Sequence, residues 1–165
     1  MTEDPLVLTL PFMEGHYLAD LLGEYLQVVN DPASSSDDAV SRLTPDIYPD
    51  DREASAAFRD AVHDDLLERR RHDAHVVLAT LRPFTDDTAE GAARAHHDVH
   101  LGDTEIAAWM RTLSAVRLIM AERLGVATTD SHDPDDQRFG VYDWLGYRLD
   151  QIVMLADARD DDAAS

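Results

Sequence analysis

A chain of 165 residues is long enough to fill one core and short for two, so a single domain is expected. Its 34 acidic side chains outweigh 14 basic ones, all arginine, for a formal charge of −20, and protonating all eight histidines would still leave −12. That field repels nucleic-acid phosphates and anionic membranes unless a local patch overrides it. The absence of cysteine excludes disulfides, thiolate nucleophiles, cysteine-ligated zinc and thiol redox switching.

MTEDPLVLTLPF carries neither a positive n-region nor a long apolar run, and no segment approaches the roughly 20 apolar residues of a membrane span. The expectation is a cytoplasmic protein with no membrane attachment. Leu6 to Leu10 is a β-prone run too short to stand alone, and His97 to Leu101 is its best partner, which predicts a two-stranded ribbon. Leu18, Leu21, Leu22, Tyr25 and Val29 share one face of a helix over Phe12–Asn30, weakened by Gly15 and Gly23 unless a neighbour packs closely on them. Asp31 to Asp38 reads as a flexible linker, and Ala39 to Leu43 as one turn.

Thr44-Pro45 and Tyr48-Pro49 stiffen the loop that follows, because each proline pushes its predecessor out of the helical region. Asp50 is the expected cap of a helix of about thirty residues, the element around which the others are organised. Its early row of Ala54, Phe58, Val62 and Leu66 drifts around the helix, whereas Leu67, Ala74, Val77, Leu78 and Leu81 form a steadier stripe. Arg82-Pro83 ends it. The stretch 84–96 reads as a flexible excursion. Asp103 is the expected cap of a third helix, with Ile106, Trp109, Met110, Leu113, Val116, Met120 and Leu124 inward and Gly125 closing it. After a flexible stretch at 126–137, a fourth helix over about Phe139–Ala158 turns Val141, Trp144, Leu145, Ile152, Leu155 and Ala156 inward. The fold class is therefore mainly α: about four main helices around one core with a small β ribbon. Residues 1–158 form the domain, and 159–165 an acidic disordered tail.

Candidate sites are few. No phosphate-binding glycine loop, nucleophile elbow, H-E-x-x-H or EF-hand loop is present. Arg70 lies on the later stripe of the long helix, where a guanidinium pairs with a carboxylate of a neighbouring helix or reads a ligand. Arg148 repeats that situation, and Asp143 or Asp150 nearby is a candidate partner for either arginine. Arg69, Arg70 and Arg71 form the one basic run, but Asp64, Asp65, Glu68 and Asp73 flank it and make it a poor phosphate patch. Tyr142, Trp144 and Tyr147 around Gly146 are either core or an exposed interaction patch. His72 with His75, and Asp60 with His63, have the i,i+3 spacing of paired metal ligands, and His96, His97 and His100 cluster in sequence. The spacing of His96 and His100 along one strand face is too wide for one ion.

The runs RLTPDIYPDDREASAAFR, DLLERRRHDAHVVLATL, DVHLGDTEIAAWMRTLSAVRLIMAERLG and YDWLGYRLDQIV resemble the actinobacterial family of AosR-type oxidative-stress regulators, long described as a domain of unknown function. The resemblance covers most of residues 5–157. It implies a non-enzymatic cytoplasmic regulator, tied to redox-responsive transcription and to a protein partner in the transcription machinery. Sensing through a cysteine pair does not transfer to a chain without cysteine. The expected function is thus an interaction protein acting through Tyr48, Arg69, Arg70, Arg71, Tyr142 or Tyr147. Its partner is another protein or a second copy of the chain; it takes no cofactor and does not bind nucleic acid directly. The alternatives are a metal-binding helical protein, or a DNA-binding regulator with an arginine face from Arg69, Arg71, Arg111, Arg117 and Arg123.

Overall fold

The computed structural model describes residues 4–43, 50–85, 95–126 and 132–163. Strand β1 (Leu6–Pro11) pairs antiparallel with β2 (His96–Leu101), Leu6 opposite Leu101 and Leu8 opposite Val99, as the apolar alternation predicts. Leu6, Leu8, Leu10, Val99 and Leu101 turn to the core, while Thr9 Oγ1 donates to Asp98 Oδ1 at 2.6 Å on the outer face. Helix α1 (Phe12–Asn30) follows without a loop, and the Phe12 amide donates to the Ala95 carbonyl at 2.9 Å.

The predicted linker 31–38 holds a 3-10 turn over Pro32–Ser36. Its Asp residues cap backbone: Asp31 Oδ1 accepts from the Ala33 amide and Asp37 Oδ1 from Ala39, both at 2.8 Å. Helix α2 (Asp38–Ser41) then buries Ala39 and Val40. The proline loop expected to be stiff, Tyr48 included, lies at 44–49 outside the described residues.

Helix α3 (Arg52–Thr80) starts one residue later than predicted, because Asp51 rather than Asp50 accepts the Ala54 amide, at 3.0 Å. Ala54, Phe58, Val62 and Leu66, the drifting row, remain half-buried, whereas Leu67, Ala74 and Val77 of the steadier stripe are buried. Leu81 ends the helix before a 3-10 turn over Arg82–Phe84. Phe84, expected in a flexible excursion, is fully buried with its ring over Gly15.

Helix α4 (Asp103–Leu124) is the true centre. It packs between α3 and the last helix, α5 (Gly140–Ala163), and touches α2 and β2. Ala108, Thr112, Ala115 and Ile119 are buried beside the predicted Ile106, Trp109, Leu113 and Val116, so two of its faces are covered. Small residues on the second face hid it from the periodicity. Gly102 caps α4 without a side-chain bond, and Asp103 instead becomes its first residue, accepting from Arg159 Nη2 at 2.7 Å. Gly125, at φ 69°, closes it as predicted, with the Val126 amide returning to the Ala121 carbonyl at 2.9 Å. Helix α5 runs five residues past its expected end, so 159–163 are helical rather than a disordered tail.

Candidate functional site

The arginines of α3 part company. Arg71 turns toward α1, donating through Nη1 to the Val29 carbonyl at 3.1 Å and through Nε to Glu68 Oε2 at 3.1 Å. Arg70 is half-buried and approaches the Arg111 carbonyl of α4 at 3.5 Å, a weak contact. Among the described residues Arg70 pairs with no carboxylate of a neighbouring helix, neither Asp143 nor Asp150; buried Asp73, on the same helix, instead receives Arg111 of α4 in a two-pronged pair, Nε to Oδ2 at 2.8 Å and Nη2 to Oδ1 at 2.7 Å. That hydrogen bonding raises the Arg111 guanidinium above its usual pKa. Arg69 is exposed and makes no hydrogen bond or ion pair among the described residues.

Arg69, Arg70 and Arg111 line one cleft of about 670 Å³ between α3 and α4, together with Leu66, Glu68, His72 and Asp73. Tyr25 of α1 lies close by. Its hydroxyl is buried without a hydrogen-bond partner among the described residues, and burial pushes its pKa up to about 12, with Arg70 lowering and Asp73 raising it further.

A second region forms where α1 meets α5. Arg148 is buried at 8% exposure, the structural one of its two readings, but its partner is Glu14 of α1 rather than Asp143 or Asp150, and Nη1 also donates to Gln151 Oε1 at 2.8 Å. Trp144 Nε1 donates to the same Glu14 carboxylate at 3.1 Å. Tyr17 lies against Trp144, ring centroids 5.8 Å apart, and is 45% exposed. On α5, Tyr147 is 63% exposed, with the Arg148 guanidinium 5.4 Å from its ring, and Met154 two turns on is 70% exposed.

Tyr142 does not belong to that surface. It is 6% exposed beneath the Arg117 guanidinium, 4.1 Å from the ring centre, which corrects its reading as an interaction residue. Gly146 admits the same arginine, since a Cβ there would come within 3.0 Å of Nη2. His132, which no pattern marked, stacks on Phe139 at 4.2 Å and pairs with Asp143 Oδ1 at 2.9 Å.

The predicted arginine face for DNA does not assemble. Arg71, Arg111, Arg117 and Arg123 each turn to a different partner: the Val29 carbonyl, Asp73, the Tyr142 carbonyl and Asp37. His72 and His75 are both exposed on α3, and among the described residues no group of three histidine or acidic side chains is placed to hold a metal ion. Among those residues no helix is long and apolar enough to cross a membrane.

In comparison with known proteins, the family described as "Domain of unknown function (DUF2017)" matches residues 1–156. No curated protein matches the chain. No solved structure matches it either.

Proposed function

The chain belongs to the DUF2017 family, and from that premise we propose that it is a non-enzymatic regulatory protein that acts by docking a protein partner through the α1–α5 seam. The observation that carries this reading is the exposure of Tyr17, Tyr147 and Met154 beside the half-buried Trp144, large apolar surface that the fold leaves uncovered. Tyrosine and tryptophan supply contact area at low entropic cost, and the Glu14, Trp144 and Arg148 bonds hold the seam rigid beneath them. The resemblance to AosR-type regulators supports a partner in the transcription machinery and a cytoplasmic setting. A net charge of −20 favours a partner whose contact surface is basic. With no cysteine, any response to oxidants would have to reach this chain by another route than a thiol pair.

The test is native co-purification with wild type, Tyr147→Ser and Tyr17→Ser/Tyr147→Ser, each first shown to be folded by circular dichroism. A transcription component retained by wild type and lost from the folded variants supports the reading. Equal recovery by all three would sink it. Sizing the same proteins by light scattering shows whether a second copy, rather than a foreign protein, covers the face.

A further inference from the structure

We propose that the cleft between α3 and α4 is a binding site for a small doubly charged oxyanion of the phosphate-monoester class, held by the guanidinium groups of Arg69 and Arg70. The flanking acids that argue against a phosphate site in the sequence are removed from the contest by the fold. Asp73 is engaged by Arg111 through both oxygens, and Glu68 by Arg71. Asp64 and Asp65 are exposed and do not line the cleft. What remains facing the space is Arg69 without a partner among the described residues, and Arg70 with only a 3.5 Å approach to a carbonyl. His72 adds a third donor from α3, and the exposed flank of Arg111 closes the far side.

The lining therefore sets three arginines against two acids, a local positive balance inside a chain of −20. A guanidinium fork matches the paired oxygens of phosphate or carboxylate, and the two-pronged Asp73–Arg111 bond fixes one wall in advance. A volume near 670 Å³ admits the ion with a short organic portion, for which Leu66 offers an apolar surface. A long polyanion is disfavoured, because the field outside the cleft is acidic. This inference concerns a different pair of helices from the partner seam and stands or falls separately from it.

The experiment is thermal unfolding and isothermal calorimetry of the full chain with inorganic phosphate, at constant ionic strength. Sulfate, glycerol phosphate and succinate serve as parallel probes, so that a tetrahedral phosphate is distinguished from a dicarboxylate. Wild type is compared with Arg69→Ala/Arg70→Ala, with Arg69→Lys/Arg70→Lys, and with Arg82→Ala as a control at an exposed arginine away from the cleft. The expected result is saturable binding by wild type and by Arg82→Ala. The alanine pair should bind at least about tenfold more weakly, with the lysine pair between, since lysine keeps the charge and loses the fork. Absence of saturable phosphate binding by wild type, or equal binding by the folded alanine pair, would overturn the proposal. So would a preference for succinate over both phosphates.

Discussion

Two glycines that look alike in the sequence have opposite environments. A Cβ on Gly15 would enter the ring of Phe84, which is fully buried and has no room to swing aside, whereas a Cβ on Gly23 meets nothing within 4 Å. Gly15→Ala is expected to destabilise by about 1–3 kcal/mol through overpacking. Gly23→Ala should stabilise by about 0.5–1 kcal/mol by removing backbone freedom from the unfolded chain. Urea titrations of the two variants give both signs in one comparison. Tyr25 supplies a test in pH. Its folded-state pKa of about 12 exceeds the ordinary 10.0, so its contribution is complete below pH 10 and is lost as pH rises through about 12. Between those values wild type should lose about 2 kcal/mol more stability than Tyr25→Phe, while at neutral pH the two should lie within about 1 kcal/mol because the hydroxyl has no hydrogen-bond partner among the described residues. Parallel slopes in alkaline denaturation would refute this.

At the scale of elements, α1 and α5 are joined by the Glu14–Arg148 pair, to which Trp144 and Gln151 add hydrogen bonds, while Arg148 Nε is buried without a partner among the described residues. Removing the arginine leaves a carboxylate facing a largely apolar seam, so Arg148→Ala should cost about 2–3 kcal/mol, less than a fully buried pair because Glu14 keeps some solvent. Glu14→Gln/Arg148→Met should recover much of that loss, and guanidinium melts of the variants measure it. The helices, the ribbon and Gly125 were legible in the sequence because apolar periodicity, proline and glycine act locally. The pairing of charges was not. Asp73 is taken by Arg111 from the neighbouring helix, and only the packing of α3 on α4 brings the two together. The centrality of α4 was equally hidden, since Ala108, Thr112 and Ala115 are buried without being strongly apolar. So was the burial of Phe84, a lone aromatic beside a proline in a stretch without periodicity.

The whole molecule carries its −20 charge on a surface where several acids are already paired, as in Arg42–Glu122, Arg123–Asp37 and Arg159–Asp103. Screening weakens those pairs and relieves the repulsion among the remaining acids. Repulsion should win, so raising salt from low to physiological strength is expected to raise Tm by about 2–5 °C, and calorimetric scans in sodium chloride would show a fall if the pairs dominated. The ribbon sets a different constraint, one of order in time. Residues 6–11 find their partner only at residues 96–101. During synthesis at about 5–20 residues per second, β1 therefore waits roughly 5–20 s after leaving the ribosome before β2 exists to pair with it. For that interval LVLTL is an unpaired, largely apolar strand with both edges open, and a segment made about ninety residues before its partner is protected from its neighbours only when that partner emerges.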